Sequence, residues 1–466
     1  MRCGCASLPA RVSRRAVPTE AARRRRLLLL ASVAAVALLA GMLAARGGDG
    51  GGGDRFAPAR LRAAGLEALA YDPARRAELE ARAAAGLSHV LYEKSPGGAI
   101  ASAQRTARFR PVVDRVAAEH HLDPDTLEAI VLLESAGRPD ARASDDLAGA
   151  AGLTQILAET ATGLLHMKVD VARSEKLTSR IATGRRVRAR EAERRRVDER
   201  FDPRKALEAT GRYLDFARSK LGGREDLAIA SYHMGVGNLQ DVLARYGAGI
   251  VPYAQLFFDS SPLTHAAAWA KLASLGDDSS TYLWRIGAAR EIMRLYRSNR
   301  AELARLQDLQ TRAPSSELVL HPPDRTPEFA SAQDVSRALD RGELVAPDAA
   351  ALARNKLGAT GPASAHVPAL RPDALAVLRL VGDGVAAIGH ARPLLVRTTP
   401  AAARTGWSFE IARRYRSAAQ AQAFQFMLDR LQALDLIAWA RRGATIRVTV
   451  SARAAELLKR PAAGAG

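Results

Sequence analysis

The chain has 466 residues and a mass of 49.8 kDa, with 48% hydrophobic and 25% charged residues; this balance excludes wholesale disorder and suits two or three domains. Its formal net charge of +20 is unevenly spread: residues 1–26 hold eight Arg and one Glu, and residues 173–200 hold eleven Lys and Arg against five acids. The remainder is only mildly basic, which argues against a nucleic-acid-binding surface and leaves no nucleic acid among the expected partners. Cys3 and Cys5 both precede the long apolar run and no cysteine follows it. A disulfide framework, a Cys-based zinc knuckle and a thiol nucleophile are thereby excluded from the folded part.

In chain order, the basic tail 1–26 leads into residues 27–45, an uncharged stretch of Leu, Ala, Val and Met closed by Arg46. A helix of that length spans about 28 Å, close to the hydrocarbon thickness of a bilayer. The arginines before it place the tail in the cytoplasm and the main body outside. A membrane anchor is the leading reading, and a cleaved signal peptide is the alternative, although Leu43 makes a poor small-x-small site before a cut after Ala45. A buried core helix fits less well, because charge and glycine flank the run. Cys3 and Cys5 lie upstream, where a lipid-acceptor cysteine would serve nothing.

Residues 46–54 form a glycine-rich linker, and residues 55–105, rich in Ala, Leu, Arg and Glu at helical spacing, read as a helical stalk. From 106 to 300, amphipathic segments of helix length alternate with Gly, Pro and Asp signals, as expected of a mostly helical domain. Its basic insertion 173–200 reads first as a solvated helical arm or loop, with docking to an anionic polymer or lipid as the alternative. Residues 301–368 thin into Pro, Ala, Ser and Asp and read as a linker. Residues 369–458 change rhythm. A helix is expected over 371–381, a strand over 393–399, a helix over 417–436 and a strand over 445–450, where Ile446, Val448 and Val450 share one face. The fold class is therefore mainly α, with a smaller α+β C-terminal domain.

The chemistry is concentrated in residues 124–162. Asp123 is placed to cap a helix opened by Pro124, with Leu127, Ile130 and Val131 as its buried stripe. Glu134 falls on that stripe in the last turn, because Gly137 and Pro139 end the helix just beyond it. Desolvation and the negative end of the helix dipole both disfavour its ionised form, which would equip it as a general acid near neutral pH. Taken alone, such a glutamate is often a boundary residue pointing outward. Ser144 and the run Gly149-Ala150-Ala151-Gly152-Leu153-Thr154-Gln155 follow closely. The glycines allow a backbone that hugs a ligand or another helix, and Gln155 offers an amide able to hold an acetamido or hydroxyl group.

These residues resemble the soluble lytic transglycosylase family of peptidoglycan-cleaving enzymes, whose fold is lysozyme-like. Glu134-Ser135 matches the catalytic Glu-Ser, Ser144 with Gly149 to Gln155 the glycine-rich segment, and Ala230-Ser231-Tyr232-His233-Met234-Gly235-Val236-Gly237 the later tyrosine segment. Phe201-Asp202-Pro203 and Gly211-Arg212-Tyr213-Leu214 are similar to the connecting motif. The spacing from Ser144 to Gly149 is longer than the family's, Thr154 stands in place of Met, and His233 in place of Asn; the last two positions are expected at the saccharide groove. The resemblance implies Glu134 as catalytic residue, with Ser135, Ser144, Gly152, Leu153, Gln155, Tyr232, His233 and Tyr282 at the substrate, no metal and no cofactor. It implies cleavage between N-acetylmuramic acid and N-acetylglucosamine with a 1,6-anhydro product; water held by Asp145 or Asp146 would make the same site a muramidase. A wall-binding or assembly protein without turnover is the rival reading.

Residues 369–452 resemble the zinc D,D-carboxypeptidase-like family through Thr405-Gly406-Trp407-Ser408-Phe409-Glu410-Ile411, the helix bearing Phe424 and Phe426, and Ile446-Arg447-Val448. The three ligand positions hold Ala403, Glu410 and Arg447, one potential ligand where hydrolysis needs about three. His366 and His390 lie nearby without a ligand pattern. The resemblance implies a degenerate module that contacts wall peptide or scaffolds the enzyme.

Overall fold

The computed structural model describes residues 71–276, 278–346, 357–359, 369–389, 394–397 and 404–454. The tail, the apolar run 27–45 and the glycine-rich linker lie outside the described residues, as does Ala403. Among the described residues no helix is long and apolar enough to cross a membrane.

Helices α1 (Arg76–Gly86), α2 (His89–Glu93), α3 (Ala99–Ala107) and α4 (Arg110–Glu119) lead to α5 (Pro124–Ser135), the central helix. The start of α5 follows from its sequence: Pro124 supplies a first-turn residue that needs no amide partner, and the Asp123 carboxylate accepts from Asp125 N at 3.1 Å and Thr126 Oγ1 at 2.8 Å. Its end is equally local. Ala136 and Gly137 turn left-handed, at φ 53° and 72°, and a Cβ on Gly137 would stand 2.5 Å from Thr106 N of α3. Leu127, Ala129, Ile130 and Val131 are fully buried, so α5 is enclosed on more than the one stripe its periodicity suggested.

A short ladder follows, β1 (Ala150–Ala151) against β2 (Ile156–Leu157), then α6 (Ala158–Gly163) and a paired hairpin of α7 (Val171–Ala182) and α8 (Val187–Val197). Next come α9 (Pro203–Lys220), α10 (Glu225–Met234), α11 (Val236–Tyr246), α12 (Tyr253–Asp259), α13 (Ala266–Ser274) and the long α14 (Tyr282–Ser298), which packs along α5.

The described part of the segment read as a stalk does not stand apart. Leu79, Ala83, Leu91, Tyr92 and Ala103 are core residues, and α1 packs on α14. Nor is the whole of 301–368 a loose connection. Helix α15 (Arg300–Thr311) packs back on α2, α3 and α14, Gln310 Oε1 bonding His89 Nδ1 at 2.9 Å and Gln307 Oε1 accepting from Ile100 N at 3.1 Å. Short helices α16 (Glu317–Leu320) and α17 (Ala332–Asp340) continue from it. Apolar periodicity marks a buried face but not the partner that covers it, which is why both segments looked detached.

The C-terminal region is α+β. Strands β3 (Leu357–Ala359), β4 (Leu394–Arg397), β5 (Ser408–Ala412), β6 (Ile437–Arg442) and β7 (Thr445–Val450) form one sheet in the order β3-β4-β5-β7-β6, parallel only between β3 and β4. Helix α18 (Pro372–Ala387) packs on β7, and α19 (Ala418–Ala433) lies between β6 and the helical body. Phe426 of α19 sits 5.7 Å from the Phe257 ring and 5.8 Å from that of Trp269, while Arg430 Nη2 donates to Phe258 O at 2.7 Å and Gln432 Nε2 to Gly86 O at 2.9 Å. A Cβ on Gly86 would stand 2.0 Å from Gln432 O, so glycine alone allows α1 and α19 this approach. One continuous apolar core joins the two regions.

Candidate active site

Glu134 leaves the last turn of α5 into a cavity of about 240 Å³ walled by Val90, Leu91, Pro96, Leu133 and Tyr282, with Lys94, His233, Asp278 and Arg285 at its polar side. The carboxyl keeps part of its surface open to this cavity. Tyr282 Oη, itself buried, donates to Glu134 Oε1 at 2.6 Å. Burial pushes the Glu134 pKa up to about 7, and the tyrosine bond, which favours the ionised form, opposes that rise. A carboxyl of this kind is protonated in about half of the molecules at neutral pH and can both give its proton up and take it back, the requirement for a single-residue acid and base.

A larger hollow of about 870 Å³ lies at the N-terminal end of α5, among Asp123, Arg76, Arg224 and Arg290. Its charges are consumed by one another: Asp226 lies 3.0 Å from Arg224 and 3.6 Å from Arg76, and Asp123 lies 3.0 Å from Arg290. Size therefore does not locate the chemistry; the smaller cavity holds the carboxyl tuned to neutral pH.

Aromatic rings brace Glu134. Tyr232 stacks on Tyr282 with centroids 6.1 Å apart, His233 stacks on Tyr282 at 5.5 Å, and Tyr213 meets Tyr232 edge-on at 5.2 Å. Tyr232 Oη donates to Thr154 O at 2.8 Å, which ties this stack to the glycine-rich turn, and His233 Nδ1 pairs with Ser279 Oγ at 2.8 Å.

The turn itself is held from below by Arg200. This fully buried guanidinium donates to the carbonyls of Leu147 at 2.7 Å, Gly149 at 2.8 Å and Ile156 at 3.3 Å, and to both carboxylate oxygens of the equally buried Asp198. Gly152, at φ 84°, passes so close to the Arg200 carbonyl that a Cβ would lie 1.8 Å from it. Neither Arg200 nor Asp198 was singled out from sequence. Arg200 is written as one more arginine in a charge-rich run, and its one distinguishing signal is its place directly before Phe201-Asp202-Pro203.

Of the expected site residues, the cavity brings together Glu134, His233 and Tyr282. Tyr232 is a strut beside it. Ser144 is exposed in the turn, its Oγ donating to Asp146 O at 3.2 Å, and Gln155 spends its amide NH2 on Gly152 O at 2.8 Å and Ala141 O at 3.2 Å. Three expectations of substrate contact are corrected. Ser135 is buried and donates to Val131 O at 3.2 Å, since one residue along a helix turns the side chain about 100° away from the Glu134 face. Leu153 is fully buried in the core. Gly152 answers the Arg200 backbone rather than a ligand. Thr154 is likewise fully buried, its Oγ1 3.5 Å from Ala206 O, so the residue in the family's Met position does not reach the groove.

Asp145, fully exposed, pairs with Arg142 at 3.2 Å, and Asp146 Oδ1 accepts from Ala148 N at 2.8 Å. In the C-terminal sheet Glu410 is buried against Arg397 at 3.0 Å and accepts from Thr445 Oγ1 at 3.1 Å, whereas Arg447, its register partner, reaches out to Glu317 at 3.0 Å. Among the described residues no group of three or more His, Cys, Asp or Glu is placed to hold a metal ion.

Residues 111–250 match the family model described as Transglycosylase SLT domain, and no curated protein matches the chain. The molecule is accordingly a lysozyme-like helical domain with a smaller α+β C-terminal region. The match spans Glu134, the glycine-rich turn and Tyr232. It stops short of Lys94 on one side and of Asp278, Tyr282 and Arg285 on the other, so the cavity is completed by residues beyond it.

Proposed function

We propose that the chain is a peptidoglycan lytic transglycosylase in which Glu134 serves as both general acid and general base. The geometry that carries this reading is a half-buried carboxyl that accepts from a buried tyrosine and opens to a cavity, desolvation pushing its pKa up to about 7. In the first step Glu134 gives its proton to the glycosidic oxygen between N-acetylmuramic acid and N-acetylglucosamine, while the sugar's 2-acetamido group stabilises the oxocarbenium-like centre. The carboxylate so formed accepts the hydrogen bond of Tyr282. In the second step it takes the proton of the 6-hydroxyl, whose oxygen closes on the anomeric carbon to give a 1,6-anhydro end. Asp145 and Asp146, exposed and engaged within their own loop, offer no support for a water-activating second carboxylate.

Residues 27–45 would hold this enzyme at the membrane as a single pass, with the catalytic body facing the wall. The C-terminal region would act as a non-catalytic module akin to the zinc D,D-carboxypeptidases, with Arg397 and Thr445 occupying the one acid left of the ligand set.

The test is turnover of purified sacculi by the full chain and by Glu134→Gln, with product ends read by mass spectrometry. We expect anhydro ends from the parent and a loss of about 10³-fold or more in the variant, the scale of a removed general acid–base group. Hydrated ends would make the enzyme a muramidase, and equal turnover would take the chemistry away from Glu134.

A further inference from the structure

The charged hairpin α7–α8 has no role in the site as described, and its charge is left uncompensated. Residues 171–197 carry ten Lys and Arg against three Glu. Arg173 pairs with Glu193 at 2.8 Å, and Arg194 is buried over the Phe201 ring at 3.9 Å with its Nη1 donating to Thr178 Oγ1 at 3.1 Å. Arg180, Arg185, Arg186, Arg188, Arg195 and Arg196 are all exposed, and none makes an ion pair among the described residues. Several exposed arginines on other helices are neutralised by an acid of their own helix, as in Arg204–Glu208, Arg245–Asp241, Arg294–Glu291 and Arg305–Glu302. Like charges gathered on a hairpin whose helices are about 17–18 Å long repel one another, and among the described residues no acid pairs with these six.

The exposed charge suits a hydrated polyanion better than a lipid surface. A helix that lies in a membrane interface presents an apolar face. Here Leu177 and Val197 are buried within the hairpin and its root, and the large exposed apolar residues, Leu157, Ile250, Leu263, Leu339 and Val345, all lie off it. The root seats the hairpin on the glycine-rich turn. Asp170 N donates to Val197 O at 2.8 Å to close it, Val171 packs against Leu147, Ala151 and Phe201, and Glu175 Oε1 accepts from Leu147 N at 3.3 Å in the same turn that Arg200 holds. Tyr232, which stacks on Tyr282 beside Glu134, donates to Thr154 O of that same turn, so the hairpin root and the aromatic brace share one support.

We propose that α7–α8 is a polyanion-gripping arm, taking the carboxylate-bearing stem peptides of the glycan strand whose glycosidic bond lies at Glu134; this rests on the transglycosylase reading of that site. The contact is ionic and diffuse, so it acts on capture and retention of the strand rather than on bond cleavage.

The test uses the full chain in non-ionic detergent, in a Glu134→Gln background so that nothing is digested. Binding is measured by co-sedimentation with sacculi, with chitin as an insoluble glycan that carries no peptide, and with beads coated in anionic phospholipid. The variant replaces Arg180, Arg185, Arg186, Arg188, Arg195 and Arg196 by Gln, and a second carries only Arg185→Glu and Arg188→Glu. At low salt the parent should bind peptide-bearing sacculi about tenfold more tightly than the six-fold variant, with the two-site variant between them, and the difference should vanish at about 0.5 M NaCl. Chitin should be bound equally by all three. Equal binding of peptide-bearing sacculi by all three overturns the proposal, as does an equal loss on chitin, or a loss confined to the lipid beads. Failure of the transglycosylase reading shows separately, as undiminished turnover by Glu134→Gln alone.

Discussion

Two glutamates taken out of water meet opposite fates in this molecule. Glu134 is enclosed with an uncharged phenol as its hydrogen-bond donor, and burial lifts its pKa to about 7. Glu410, which is 5% exposed, lies against the Arg397 guanidinium and the Thr445 hydroxyl. Desolvation acts on both, and the charge of the neighbour decides what the carboxyl becomes. Beside a neutral donor the Glu134 proton can be spent, whereas the Arg397 guanidinium bonds the Glu410 carboxyl and ties β4 to β5. Asp198 and Arg200, both fully buried, carry the second solution to its limit.

That limit gives the largest expected effect on stability. Arg200→Met strands the Asp198 carboxylate in the core and frees the carbonyls of Leu147, Gly149 and Ile156 from their common donor. The expected cost is about 3–5 kcal/mol in chemical denaturation, the range for breaking a buried pair by removing one partner. Sacculus turnover should fall with it, because Tyr232 braces Tyr282 against this same turn. A variant as stable as the parent would mean the pair is not closed to solvent.

Glu134→Gln supplies the next effect, with a definite sign. The folded-state pKa of Glu134 is raised to about 7 from its ordinary value of 4.5, so the folded protein resists ionisation that the unfolded chain accepts. The parent therefore loses stability as pH rises from the unfolded pKa through the folded one, and regains none above it. The glutamine variant has no such loss. It should match the parent at pH 4 and exceed it by up to about 3 kcal/mol at pH 8, read from urea midpoints. A gap that is the same at both values would show that the acid is not held dry.

Tyr282→Phe is a smaller intervention at the same group. The tyrosine bond lowers the glutamate pKa against the effect of burial, so its removal lets that pKa rise further. The descending limb of the pH–rate profile should move to higher pH, while turnover at the optimum drops by about tenfold, for the loss of one hydrogen bond to the developing carboxylate. A limb that moves down would assign it to another group.

The sequence made these two classes of acid unequally visible. The Asp123 cap, the Pro124 start and the Glu134 position were legible because caps and dipoles are properties of neighbours in the chain, and β7 was read over 445–450, the span the structure shows. Strand β6 was missed because Ile437, Ala438 and Trp439 run on without alternation, the pattern of a strand covered on both faces. Burial of Arg200 was invisible for a different reason: no periodicity marks a charged residue whose partners are backbone carbonyls some 50 residues away. Ser135 and Leu153 were misplaced because a motif preserves the order of residues and not which of them face the groove. Tyr282 was found by its resemblance alone; its bond to Glu134 spans 148 positions, and spacing cannot predict it.

Glu410→Gln should have the smallest consequence. Its partner Arg397 is half exposed, so the attraction is screened by solvent, and an amide can still accept from Thr445 Oγ1. The expected loss is under about 1 kcal/mol, the range of exposed ion pairs, with sacculus turnover unchanged. If instead the parent takes up zinc and releases terminal D-alanine, and the variant does neither, Glu410 is a ligand after all. Glu410 would then stand beside Glu134 among the acids kept for chemistry.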